Sequence, residues 1–383
     1  MKSTHAPTHE SFRTRRYFPA LDGLRCLSVA AVIWHHSTPR ALAGLAGRGH
    51  LGVRLFFCIS GLLITTLLLR EKRERGHVDL LRFWTRRALR IFPLYYAVLA
   101  LFIAFAITLP STSAMRNHFI ANLPYYLSHT SNWFIDFNVK HKVLFAFAWS
   151  LSTEEQFYVC FPLVVRLVRW RMMLTLLLLA AIVIDQLAEH RMLTFILPPH
   201  GRGETIVTSF VASIGFGALL AVLLDDPRSF KWLQPVLGHA LSAPLLLGLV
   251  VLWLIAPPKE FVWFEAALAT FVAACAVGQD RFLPRALSQP ALGHVGRVSY
   301  GMYLFHVAVI GAIRAVFPGI AGQTILVFPM ALAISIGLAT LSHRYFEAWF
   351  LSKCPGPRKS GAKSGQVASP FSRSRDNTLF AEN

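Results

Sequence analysis

Apolar residues in this chain gather into runs of roughly twenty, parted by short polar or Pro- and Gly-containing turns, and such runs cross about 30 Å of hydrocarbon as helices. The runs lie near 20–38, 51–69, 91–109, 145–165, 172–188, 206–224, 236–256, 261–278, 298–317 and 324–346. They predict an all-α fold: a polytopic membrane helical bundle of about ten transmembrane helices. Three units follow from this pattern: a basic N-terminal segment over 1–18, a membrane-embedded domain over 19–350, and a basic tail over 351–383. The tail reads KCPGPRKSGAKSGQ, a Ser-, Gly- and Pro-rich composition expected to be disordered. The longest connection, about Leu109 to Phe145, carries Tyr125, Tyr126 and Trp133 and is expected to be interfacial or re-entrant.

Charge sets an orientation on this pattern. Of the 38 Lys and Arg residues, 27 fall before the first run, in the connections after the second, fourth, sixth and eighth runs, and from Arg344 onward. Placing these segments in the cytoplasm puts both termini there, since Lys and Arg concentrate on the cytoplasmic side of short loops. The hydrophobic share of 55%, the charged share of 15% and the mean hydropathy of +0.50 exclude an ordinary soluble domain. A net charge of +19 does not imply nucleic acid as a partner, because the basic residues border helices instead of forming one patch. Anionic headgroups and phosphates are the expected partners. Arg25 and the His pair inside the first run exclude a cleaved secretory signal. Five cysteines without paired spacing imply neither disulfides nor a metal site.

Four polar constellations interrupt the apolar pattern. Arg25 and His36 stand eleven residues apart, within about 20° of one another around a helix and about 16 Å apart along it. Both can line one wall, although Arg25 can also snorkel to a headgroup and His36 can sit at the interface. Glu154 and Glu155 enter the fourth run from its outer side. Glu154 shares a face with Tyr158 and lies at roughly the depth of His36, whereas Glu155 points about 100° away and can equally serve as an acidic cap at the helix start. Ser299, Tyr303 and His306 form one polar stripe, suited to a wet cavity or to helix–helix hydrogen bonding. Arg86, Arg87 and Arg90 sit at the inner mouth of the third run, where guanidinium forks can clamp phosphate; the positive-inside rule alone also places arginines there.

In order along the chain, these segments resemble the acyltransferase-3 family of integral-membrane acyltransferases, which modify bacterial surface glycans, Nod factors and macrolides. The stretch from Asp22 and Arg25 to His36 looks like the family's Arg-x10-His signature. Gly52 to Gly61 is similar to the next block, with Arg54 where many members carry Asp. Arg87-x2-Arg90, Trp149 to Tyr158 with Glu154 at the family's glutamate, Ser299 to His306, and His343 to Glu347 resemble the remaining blocks. The resemblance spans roughly Pro19 to Trp349.

It implies a bundle of ten core spans, acyl-coenzyme A as donor and His36 as the essential histidine. On that basis His36 is expected to act as general base toward a sugar hydroxyl, with Glu154 stabilising the imidazolium; an acyl-histidine intermediate remains open. Arg87 and Arg90 are expected to hold coenzyme A phosphates, and Arg25 the pantetheine or a phosphate. Arg54, Ser60, Tyr303 and His306 are candidates for contacting substrate. The expected group is acetyl, with acetyl-CoA as donor substrate and no metal. The expected acceptor is a glycan or glycolipid of an exopolysaccharide or lipopolysaccharide, in a bacterial inner membrane, with polysaccharide-assembly proteins as further partners. Many members carry a fused extracytoplasmic esterase-like domain; none is expected here, which leaves a bare transferase or one with a separate partner. The alternative class is a transporter or flippase, since ten helices with buried Arg, His and Glu also suit an ion pathway.

Overall fold

The computed structural model describes residues 7–38, 48–49, 51–137, 139–194, 196–198, 201–256 and 261–354. Every regular element among them is helical. The chain opens with α1 (His9–Thr14), α2 (Pro19–Ser37), α3 (Leu51–Arg75) and α4 (Leu80–Thr108). Three short helices follow, α5 (Ala114–Ala121), α6 (Leu123–Leu127) and α7 (Ser131–Phe134), before α8 (Ala148–Leu167) and α9 (Arg171–Glu189). Then come α10 (Arg202–Thr208), α11 (Ala212–Asp225), α12 (Pro227–Leu237), α13 (Ser242–Ile255), α14 (Phe261–Val277) and α15 (Phe282–Leu287). The chain closes with α16 (Pro290–Val316), α17 (Thr324–Ser342), one π-helical turn at His343–Glu347, and α18 (Ala348–Leu351).

Eight of the ten expected spans coincide with a helix; the sixth is split between α10 and α11, and the seventh straddles the end of α12 and α13. By length and apolarity six helices or helix pairs among the described residues qualify as membrane-crossing, and counting the pair α12 and α13, bent by 73°, as one span gives seven. The others fall short for readable reasons: α2 contains Asp22, Arg25 and two histidines, α8 contains the Glu pair, and α14 has 17 residues. The third span differs from expectation at its start. Its helix begins at Leu80 behind an Asp79 cap that accepts from the Arg82 amide, so Arg86, Arg87 and Arg90 lie within α4.

Small residues set the closest helix approaches. A Cβ on Gly61 of α3 would stand 2.1 Å from the Ile214 carbonyl oxygen of α11, and one on Gly217 would stand 2.3 Å from the Cys58 oxygen. Backbone meets backbone there, as small residues permit in membrane bundles. Gly296 of α16 does the same against Asp22 of α2, where a Cβ would lie 2.0 Å from the carbonyl oxygen. These contacts fix α3 and α2 at the centre, and 83% of the apolar window of α3 is buried.

The segment between α4 and α8 folds back into the bundle. Tyr95 and Tyr96, halfway along α4, donate to the Tyr126 and Leu127 carbonyls at 2.8 and 2.9 Å. Asn132 and Gln156 then tie α7 to α8 by amide hydrogen bonds of 3.0 and 2.9 Å. At the opposite end α1 packs Phe12 against Phe18 and Phe230. There Arg73 and Arg171 both reach Asp225, at 2.5 and 2.8 Å. Lys72 donates to the Val165 and Val168 carbonyls, each at 2.6 Å, satisfying the C-terminal end of α8. The expected disordered tail falls, beyond Cys354, outside the described residues.

Candidate active site

A cavity of about 90 Å³, partly open to solvent, lies among α2, α3, α4, α8 and α16. Its cationic wall is Arg25, Arg87 and Arg90; its carboxyl groups are Glu154 and Glu155; its hydroxyls come from Ser60, Ser150, Tyr158, Ser299, Tyr300 and Tyr303. Val53, Phe56, Phe57, Ile91 and Leu151 supply the apolar surface. Charged groups at a membrane interior face protein or a wet cavity because hydrocarbon solvates them poorly. Here they share one.

Each lining group is held from behind. Asp22 accepts from the Arg25 guanidinium at 3.2 Å and from the Tyr17 hydroxyl, which aims Arg25 along α2 into the cavity. The Arg87 guanidinium lies over the Phe83 and Tyr158 rings, 5.6 and 5.3 Å from their centroids. Stacking between rings holds the fork in place and leaves its edge N–H groups for a planar acceptor. Tyr300 donates to the Ile91 carbonyl at 2.8 Å, pinning α16 to α4 beside Arg90.

Nine of the residues singled out in the sequence meet at this cavity: Arg25, Ser60, Arg87, Arg90, Glu154, Glu155, Tyr158, Ser299 and Tyr303. The expected pairing of Glu154 with His36 does not form. Glu154 accepts from Ser60 at 2.7 Å, and Ser60 accepts from Tyr158 at 3.1 Å. Expectation and structure differ because depth was counted along α8 alone, whereas the packing of α3 on α8 sets Glu154 level with Ser60. Arg54 stands on the other face of α3. It pairs with Glu265 of α14 at 2.7 Å, where Ser213 also donates, and does not line the cavity.

Glu155 is not a helix cap. It lies two turns inside α8, is 7% exposed and lines the cavity. Ser150 and Tyr300 also escaped the sequence reading. Ser150 is one turn before Glu154, a spacing that was legible; Tyr300 is adjacent to Ser299 and off the stripe, so no periodicity marked it.

His36 and His306 lie beyond the cavity, on its far side. His306, fully buried, contacts the Tyr303 carbonyl through Nδ1 at 2.5 Å, and its Nε2 faces His36 Nδ1 at 3.3 Å. His36 Nδ1 is also 3.0 Å from the Val32 carbonyl. A carbonyl only accepts, so both Nδ1 atoms carry hydrogen. His36 Nε2 is thereby left with its lone pair. Phe56, Phe147 and Tyr303 form an aromatic layer between this pair and the cavity, with ring centroids 6.3 and 5.7 Å from Tyr303 and 5.4 Å from Phe147 to His306. The Tyr303 hydroxyl closes the layer, donating to the Phe147 carbonyl at 3.0 Å and lying 2.6 Å from Ser150 Oγ.

Comparison with known proteins adds an independent line. A family described as an acyltransferase domain, Acyl_transf_3, matches residues 18–344. Two relatives named O-acetyltransferase OatA, from Staphylococcus aureus strains NCTC 8325 / PS 47 and COL, are each 28% identical over 357 residues, covering 88% of this chain and 58% of their own length. SACOL0978 of strain COL, an O-acetyltransferase by its name, is 28% identical over 383 residues, covering 92% and 59%. The chain thus spans about three fifths of the length of these relatives. No solved structure matches it.

Proposed function

The chain belongs to the acyltransferase-3 family, and we propose that it is a membrane O-acyltransferase moving an acetyl group from acyl-coenzyme A to a hydroxyl of a glycan or glycolipid. The convergence of Arg25, Arg87 and Arg90 on one cavity carries this reading. Three guanidinium groups within an apolar bundle suit the phosphates of a nucleotide thioester, and a narrow, mixed polar and apolar wall suits its pantetheine arm. The cavity ends at Tyr303, one helical turn from His306.

His36 Nε2 is the general base of this reaction. It takes the proton of the acceptor hydroxyl as the oxygen bonds to the acyl carbon; the carbon–sulfur bond then breaks, and the thiolate leaves with that proton from His36. The thioester reaches Nε2 only if the Tyr303 layer parts, so donor binding is coupled to movement of this ring. Glu154 acts below the layer, where with Ser60 and Tyr158 it offsets the guanidinium charge beside the donor. The named relatives support an acetyl group; a multi-pass membrane setting follows from the apolar helices, and a cytoplasmic donor face from the Arg-rich end of the bundle.

Purified protein given acetyl-coenzyme A and a glycan acceptor tests the proposal. Acceptor-dependent release of coenzyme A is expected, with loss of at least 100-fold in His36→Ala, in the range of general-base contributions of about 10²–10⁴. A folded His36→Ala protein with wild-type turnover would overturn the base assignment. Release of no coenzyme A under any acceptor would favour a transporter.

A further inference from the structure

The reading of His36 as base leaves open what receives the positive charge it acquires. In Ser-His-Asp arrangements a carboxylate behind the imidazole holds the tautomer and stabilises the imidazolium. Among the described residues, His35 on its own helix, Lys142 before α8 and Arg314 of α16 bear on His36, and His306 of α16 stands against its Nδ1; none of these is a carboxylate. Glu154, the acid closest to that role by sequence, is engaged by Ser60.

We infer that His306 is the positioning residue that takes the carboxylate's place, holding the His36 tautomer and sharing the proton's charge through an imidazole–imidazole hydrogen bond. The inference rests on the reading of His36 as base. Its geometry is a relay of three groups: the Tyr303 carbonyl accepts from His306 Nδ1–H at 2.5 Å, which leaves His306 Nε2 bare. That lone pair faces His36 Nδ1–H at 3.3 Å, with rings at 71° and centroids 4.7 Å apart, an edge-on approach suited to N–H···N contact. The Val32 carbonyl, at 3.0 Å, shares the same hydrogen in the resting state.

Two features make the contact more than packing. His306 is fully buried, and its Nε2 has the His36 hydrogen as its partner. A backbone carbonyl, held by α16 itself, fixes which nitrogen is bare, so the relay keeps its polarity. When His36 Nε2 takes a proton, its Nδ1–H becomes a stronger donor, and a neutral nitrogen already stands in line to receive it. The proton count does not change: His306 gives its own hydrogen to nothing, and the proton on His36 Nε2 leaves with the thiolate.

The test compares His306→Gln with His306→Leu in full-length protein, reading kcat, donor KM and acceptor KM separately. An amide oxygen supplies an acceptor in place of Nε2, while Leu fills similar space and supplies none. A fall in kcat of at least 30-fold is expected for Leu with both KM values within threefold of wild type, on the scale of general-base contributions of about 10²–10⁴. Recovery of at least one third of that loss, on a logarithmic scale, is expected for Gln. Equal losses in Leu and Gln would overturn the inference, as would a Leu variant with wild-type kcat. Should His306→Leu fail to fold, the Gln variant decides alone: a kcat below that of His36→Ala, or a KM change carrying the whole loss, overturns it. Inactive His36→Ala with fully active His306→Leu defeats this inference and leaves the base assignment standing; active His36→Ala defeats the base assignment first.

Discussion

Ser60 of α3 donates to Glu154 of α8 at 2.7 Å, and this single bond places a carboxyl group at the level of the arginine-lined cavity instead of beside His36 and His306. The register of two helices is therefore written in one polar contact. Ser60→Ala removes a hydrogen bond to the half-buried Glu154, at a cost of about 1 kcal/mol. A lower thermal midpoint in detergent is the expected result. Glu154→Gln keeps an oxygen for Ser60, and its midpoint should stay near wild type while acyl transfer falls at least about tenfold, a barrier of about 1.4 kcal/mol. A Gln variant with full activity would show that the charge of Glu154 is not used.

Arg87 and Arg90 should act on donor affinity. Replacing either with Ala removes charge-assisted hydrogen bonds of about 1.5–3 kcal/mol, which corresponds to a donor KM higher by roughly 10- to 100-fold. Arg87→Lys should recover only part, because the ammonium lacks the planar fork that stacks between Phe83 and Tyr158. Steady-state kinetics with acyl-coenzyme A varied at fixed acceptor checks this; unchanged donor KM in both Ala variants would remove the phosphate clamp from the mechanism.

Tyr303 closes the layer below the histidines through its hydroxyl. Tyr303→Phe retains the ring and loses the contacts to Phe147 O and Ser150 Oγ, with an expected cost of about 1–2 kcal/mol. Loosening the layer admits water to the thioester, so release of coenzyme A without acceptor should rise severalfold. A thiol-release assay lacking glycan reads this directly. No rise would mean that the ring, and not its hydroxyl, sets the barrier.

Asp226 caps α12, accepting from the Ser229 and Arg228 amides at 3.0 Å each. Those backbone hydrogen bonds, with the Ser229 hydroxyl and Arg171 adding to them, hold its carboxyl below the ordinary value. A group shifted downward contributes stability that is full above its unfolded value, about 3.9, and is lost as pH falls through the lower folded value. Asp226→Asn should therefore lower stability at neutral pH, where the carboxylate's contribution is full, and approach the wild type below about pH 4, with a flatter dependence on acid. Thermal midpoints measured from pH 3 to 7 in steps of about half a unit would show it; parallel curves for both proteins would place the acid sensitivity elsewhere.

Much of the site was legible before any coordinates. The Arg87–Arg90 pair and the Ser299–Tyr303 part of the stripe each specify one helix face that lines the cavity, whereas of Arg25 and His36 only Arg25 lines it and His36 stands beyond, against His306. Glu155 was harder: its depth depends on where α8 begins, and a start at Ala148 moves it from a helix end to the interior. Arg54 was harder still, since its partner Glu265 lies on α14, far along the chain.

Periodicity alone determined the helices, their approximate limits and which side chains on one helix share a direction, because these follow from a fixed rise and rotation per residue. Only tertiary packing decided which faces meet and at what relative depth. The Gly61–Gly217 approach sets α3 against α11, Gly296 sets α16 against Asp22, and Ser60 then finds Glu154 while His36 finds His306. Such pairings depend on the shapes of surfaces distant in sequence, and a helical period carries no record of them.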